Sequence, residues 1–112
     1  KNVEEFKIAL QLKKAEALIL SQEYNKAESI INTLKATRLS LQEDAELKII
    51  EGSLQLYQGK NDQAQETLLE AEKLLQREGI LNTLSMAKAL NYLGLTYFNT
   101  GKQAQAEEHI LL

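Results

Sequence analysis

The chain reads as all-α, built from three helix–turn–helix units, and three observations predict it. The first is composition. Among 112 residues there is no Pro and there are only five Gly, while Leu, Ala, Glu, Gln and Lys, all good helix formers, dominate. The second is periodicity. Apolar residues recur at three- and four-residue spacing in nearly every segment, and no stretch alternates as a strand does. The third is internal repetition. A shift of 42 residues lays Ala45, Gly52, Gly59, Lys60, Gln63, Ala64 and Leu69 on identical residues at Ala87, Gly94, Gly101, Lys102, Gln105, Ala106 and Leu111. A shift of 37 lays Ala15, Ala27, Ile31 and Leu34 on Gly52, Ala64, Leu68 and Ala71. Units therefore span about residues 8–44, 45–86 and 87–112 of one domain.

Each helix has a local reason to start and stop. Asn2 with Glu5 can cap the first helix. It runs to about Ser21 and carries Phe6, Leu10, Leu12, Ala15, Leu18 and Ile19. The turn at Gln22-Glu23 lacks glycine. The second helix follows from Tyr24 through Ala27, Ile30, Ile31 and Leu34 to about Arg38. Ser40-Leu-Gln-Glu43 has the form of a capping box and starts the third helix, which Gly59 ends. Asn61 or Asp62 caps the fourth, with Ala64, Leu68, Leu69, Ala71, Leu74 and Leu75 inside and Gly79 after it. Asn82 or Thr83 starts the fifth, and the sixth begins near Gln103. The extra residues of the longer unit fall around Glu78 to Asn82.

The third helix sets two signals against each other. Holding Gly52 in register with Gly94 puts Lys48, Glu51 and Gln55 where Leu90, Leu93 and Tyr97 stand. Burying those three unpaired costs several kcal/mol. The apolar stripe Leu47, Ile50, Leu54 and Tyr57 is rotated by about one residue. The expectation is that this stripe wins and Lys48, Glu51 and Gln55 are more exposed. Gly52 then makes no close contact of the kind assigned to Gly94, and Gly52→Leu costs less than Gly94→Leu. The two readings differ by about 100° of rotation about the helix axis.

The last segment, AKALNYLGLTYFNTGKQAQAEEHILL from Ala87 to Leu112, carries the pattern L-x-x-L-G-x-x-Y-x-x-x-G-x-x-x-x-A. It places a small residue, Gly94, on the apolar stripe, and a helix-ending glycine, Gly101, before the small Ala106. On these residues the chain resembles a tetratricopeptide-repeat domain of the long-unit type, across nearly its whole length. The resemblance implies three units stacked as a right-handed superhelical solenoid. It also implies that the first helices of the units line a concave groove for a peptide or partner protein. By family position the groove residues of the last unit are Lys88, Asn91, Leu95 and Phe98, with Glu16 on the first helix and Lys48 or Gln55 on the third. For Leu95 and Phe98, packing against the preceding helix is the equal alternative. The chaperone-tail clamp of some relatives is not implied. It needs several Lys, Arg and Asn, and apart from Lys88 its positions hold Leu12, Glu16, Ile50 and Tyr92. The proline common at the end of the family's second helices is absent in every unit.

Other chemistries find no support. Zero Cys removes disulfides, thiolate metal sites and cysteine nucleophiles. His109 is the only histidine and reads as a surface or partly packed residue. The adjacent carboxylates Glu4-Glu5 and Glu107-Glu108 point about 100° apart on a helix and make no acid–base pair. Gly59-Lys60 and Gly101-Lys102 lack the rest of a phosphate loop. Net charge is −3 with interspersed signs, so no nucleic-acid footprint is expected. No segment reaches the roughly 20 apolar residues of a membrane span. The expectation is thus a non-catalytic protein-interaction module without cofactor or metal. Alternatives are a regulatory module fused to a bacterial signalling output domain (transcription factor, kinase or cyclase) and an oligomerisation element. The start at Lys1 and the stop inside the apolar run His109-Ile110-Leu111-Leu112 read as a fragment of a larger protein, able to form a homo-oligomer through an open C-terminal end. Cytoplasm is the expected compartment, with periplasm left open.

Overall fold

The computed structural model describes residues 2–77, 79 and 84–99, of Asn2 the backbone alone. Five helices account for nearly all of them: α1 (Asn2–Leu20), α2 (Tyr24–Lys35), α3 (Leu41–Tyr57), α4 (Asn61–Arg77) and α5 (Leu84–Asn99). No strand occurs among the described residues. The sixth helix, with Gly101, Ala106 and His109, and the start signals at Asn82 and Thr83 lie outside them.

The two turns inside the helix pairs are built alike. After α1, Glu23 N–H donates to Leu18 O at 2.8 Å and Gln22 N–H to Ile19 O at 3.0 Å. After α3, Lys60 N–H donates to Gln55 O at 2.8 Å and Gly59 N–H to Leu56 O at 3.0 Å. These paired bonds satisfy carbonyls at a helix end and need a left-handed residue between them. Gly59 supplies it at φ +80, and Gln22 takes φ +65 without being glycine. The same residues stand 37 apart, so the offset read in the sequence has the same backbone geometry at both places. The start of each following helix also matches: Ala27 N–H donates to Glu23 O, and Ala64 N–H to Lys60 O.

Ser40 caps α3 as expected. Its side chain accepts from Glu43 N–H at 3.1 Å, and the Glu43 carboxylate accepts from Ser40 N–H at 2.9 Å. Two other boundaries differ from expectation. α2 stops at Lys35 rather than Arg38, because Ala36 and Thr37 N–H bond only three residues back and tighten the last turn. The tightened end lets Leu39 fold back onto the first core cluster before Ser40. Asn61 does not cap α4. It is the first helical residue, and its Oδ1 instead accepts from Asn99 Nδ2 of α5 at 3.2 Å. Gly79, at φ +73, follows the end of α4 as read.

Packing centres on α3, which touches α1, α2, α4 and α5. α1 packs on α2 and α3, and on neither α4 nor α5, so the helices do not close into a bundle. One core cluster joins Ile8, Leu12, Ala15 and Ile19 of α1 and Ala27, Ile31 and Leu34 of α2 to Leu47, Ile50 and Leu54 of α3. A second joins Ala45 and Ile49 of α3 and Ala71 and Leu75 of α4 to Met86 and Ala89 of α5. A third holds Ala64, Leu68, Leu93 and Tyr97. As expected, Leu47, Ile50 and Leu54 are buried, while Lys48, Glu51 and Gln55 are only partly so. Glu51 is paired with Lys35 of α2.

Three expectations about the core are corrected. Phe6 and Leu10 are 64% and 52% exposed, because the inward face of α1 is Ile8, Leu12, Ala15 and Ile19. Tyr57, at the last position of α3, is 49% exposed. Gly52 does make a close contact. A Cβ built there falls 2.6 Å from Leu68 Cγ of α4. The apolar stripe and the glycine contact coexist, since one faces the first pair of helices and the other faces α4.

Gly52→Ala therefore destabilises the protein, although alanine is the better helix former by about 1 kcal/mol. Overpacking against the fully buried Leu68 costs about 1–3 kcal/mol and outweighs that gain. In chemical denaturation, Leu68→Ala then costs less in the Gly52→Ala background than alone; additive losses would deny the contact. The two turns give a matched test. Gln22→Gly stabilises by about 0.5–1 kcal/mol, and Gly59→Ala, where nothing crowds the new Cβ, destabilises by a similar amount. Thermal melts of the two variants check this.

Candidate functional site

The odd-numbered helices lie side by side with α3 in the middle, and a pocket of about 280 Å³ opens between them. α1 contributes Ala9, Leu12, Lys13 and Glu16, α3 contributes Glu46, Ile49 and Ile50, and α5 contributes Leu84, Ser85 and Lys88. Leu12, Ile49 and Ile50 are buried core residues and form an apolar floor. Charged side chains from all three helices surround it. The volume lies just below the roughly 300–1,000 Å³ of small-molecule sites and suits one large side chain.

Lys88 Nζ donates to Glu16 Oε2 at 2.9 Å, with the two side chains 35% and 30% exposed. The partners are 72 residues apart in sequence, and α1 and α5 do not otherwise pack on each other. The ion pair thus straps the first helix to the fifth across α3. Solvent screens it, and such pairs contribute about 0.2–1 kcal/mol. Lys13 and Glu46 form no ion pair among the described residues and leave one charge of each sign at the pocket.

Tyr92 of α5 is partly buried beside this strap. Loss of hydration on burial raises its phenol above the ordinary value, and Tyr57 and the Glu16 carboxylate push the same way. Lys88 and a hydrogen bond with Ser53 oppose them. Ser53 Oγ is itself buried and donates to Ile50 O at 2.7 Å.

The sequence-read site residues divide. Glu16 and Lys88 are brought together. Asn91, Leu95 and Phe98 continue from Lys88 along α5, and all three are exposed, Leu95 at 42% and Phe98 at 57%. Lys48 and Gln55 do not join them. Lys48 Nζ lies 3.8 Å from Asp44 and 3.6 Å from Glu70 of α4, beside a separate pocket lined also by Lys35, Leu39 and Glu51. Gln55 Oε1 is buried and accepts no hydrogen bond. The α3 residues that do line the site are Glu46 and Ile49. The sequence held a signal for them: the 37-residue shift that pairs the two turns carries Ala9 and Leu12 onto Glu46 and Ile49.

Among the described residues no cluster of His, Asp or Glu is arranged to hold a metal ion, and no helix is long and apolar enough to cross a membrane. In comparisons with known proteins, no family model, no curated protein and no solved structure matches the chain.

The raised Tyr92 value fixes a pH dependence. The unfolded chain loses this proton first as pH rises. The stabilisation is complete below the ordinary tyrosine value of about 10 and is lost as pH climbs through the folded-state value. Denaturant titrations between about pH 8 and 11 show a steeper alkaline loss for the native protein than for Tyr92→Phe. Parallel losses would place Tyr92 in ordinary solvent.

Proposed function

We propose that the chain is a tetratricopeptide-like, non-catalytic interaction module that binds an extended peptide along the face formed by α1, α3 and α5. The observation that carries this reading is the pocket on that face. Its floor of Leu12, Ile49 and Ile50 takes an apolar anchor side chain, and the charges around it orient the flanking residues. Asn91 extends the face with an amide able to pair with a peptide backbone, and Leu95 and Phe98 offer further apolar contact. The 37-residue equivalence of turns, small residues and buried positions supports the repeat reading, and the open order of packing is compatible with a stacked array. Peptides selected from a randomised display library, titrated into methyl-labelled protein, shift the resonances of Leu12, Ile49 and Ile50. Exchanging the unpaired rim charges, Lys13→Glu with Glu46→Lys, weakens those peptides about tenfold, a change of about 1.4 kcal/mol. Selection of peptides that shift none of these methyls overturns the assignment of the site.

A further inference from the structure

Four charged side chains line the pocket, two of each sign. Lys13 and Glu16 come from α1, Glu46 from α3 and Lys88 from α5. Glu16 pairs with Lys88, while Lys13 and Glu46 have no ion-pair partner among the described residues. The pair that forms is the long-range choice. It joins residues 72 apart in sequence. Their helices make no backbone approach of their own, since α1 meets α2 and α3 while α5 meets α3 and α4. Each member of the pair also has a nearer candidate of opposite sign. Lys13 stands three residues before Glu16 on the same helix, a spacing that brings side chains together. Glu46 and Lys88 occupy the same position of successive units, 42 residues apart, on the neighbouring helices α3 and α5.

The same four charges therefore have two ways to pair. One way makes a single pair across the groove and leaves two charges over. The other makes two pairs, Lys13 with Glu16 along α1 and Glu46 with Lys88 between neighbours, and leaves α1 and α5 unlinked. We propose that this quartet is an exchangeable clasp: with Glu16 on Lys88 it holds α1 toward α5 and narrows the groove, and with partners exchanged it lets the two helices separate. The energetics are close to balance. A solvent-screened ion pair shifts a two-state population by at most about fivefold, so the crossing pair alone does not lock the groove. The second pair gained on exchange offsets its loss. All four side chains are at least partly exposed, and exchanging partners requires rotamer changes rather than rearrangement of the buried Leu12, Ile49 and Ile50. Tyr92 lies near enough to both members of the crossing pair for each charge to act on its phenol, which places the clasp amid the face shared by α1, α3 and α5. The clasp sets how wide a groove a peptide meets; that consequence rests on the peptide reading above, and the motion itself does not.

The chain has no Cys, so Gln11→Cys with Ala87→Cys puts one spin label on α1 and one on α5, at exposed positions outside the pocket. Double electron–electron resonance then reads the separation of the two helices without any ligand. Glu16→Gln removes the crossing pair and gives longer and broader distances than the native charges. Glu16→Lys with Lys88→Glu keeps opposite charges across the groove but sets Lys13 against a lysine and Glu46 against a glutamate, so only the closed pairing remains. Its distances are shorter and narrower than the native ones. Molar sodium chloride, which screens the pairs, moves the native distances toward those of Glu16→Gln and leaves Glu16→Gln unchanged. Circular dichroism verifies that the variants keep their helices. Distances that ignore Glu16→Gln, or that are the same in the reversed pair as in the native chain, overturn the clasp and leave the peptide site untouched. Distances that respond as stated, while no selected peptide shifts the methyls of Leu12, Ile49 and Ile50, uphold the clasp and overturn the peptide site.

Discussion

Everything in this molecule depends on α3 being buried on two sides at once. It is the one described helix in contact with all the others, and each side is met by a different device. Toward α1 and α2 it presents Leu47, Ile50 and Leu54, side chains worth about 1.5–3 kcal/mol each when taken out of water. Toward α4 it presents Gly52, where the absence of a side chain lets Leu68 approach so closely that an added methyl group would force the leucine to shift. A bulky residue at 52 would hold α4 away, and the burial of Ala64, Leu68, Ala71 and Leu75 would suffer with it. The position of α5 follows, because its Met86 and Ala89 rest on a surface assembled jointly from α3 and α4.

That double burial explains where the sequence could be read and where it misled. Helix existence and most helix ends were legible because they are set locally. Ser40 and Glu43 cap α3 by contacts three residues apart, and Gly59 and Gly79 end helices by their own backbone freedom. The equivalence of the first two helix pairs was legible too, down to a turn in which Gln22 does what Gly59 does more easily. The faces of α3 were not. Treating the Gly52 register and the Leu47 stripe as rivals assumed that a helix has one buried side, which holds at the surface of a small domain and fails for a helix enclosed by four others. The same choice decided the site residues. Lys48 and Gln55 follow from the rotated reading and do not line the pocket, whereas the shift that aligns the turns leads to its lining residues Glu46 and Ile49.

α1 shows the opposite failure. Its apolar residues surround most of the helix, so periodicity alone cannot distinguish a face packed within the chain from one left at its surface. Phe6 and Leu10 looked like core for that reason. The arrangement around them resolves it: Ile8, Leu12, Ala15 and Ile19 already fill the side toward α2 and α3, and no further described helix packs on α1 to meet Phe6.

The pocket follows from the way the odd helices pack. α3 lays one side on α1 and α2, α5 lays one side on α3 and α4, and other positions of the three odd helices fall beside one another. A continuous surface then runs across α1, α3 and α5 without any residue being placed there for binding. Small numbers of side chains decide what that surface can do. Leu12, Ile49 and Ile50 make it apolar at depth, and Lys88 with Glu16 spans it with a charge pair that neutralises itself. The net effect is a site with an apolar centre and nearly balanced charge, unlike a basic clamp for an acidic tail. Lys13 and Glu46 stand at its rim and form no ion pair among the described residues. The lysine that α5 contributes to the lining, Lys88, is already engaged by Glu16 and leaves no free positive charge from that helix.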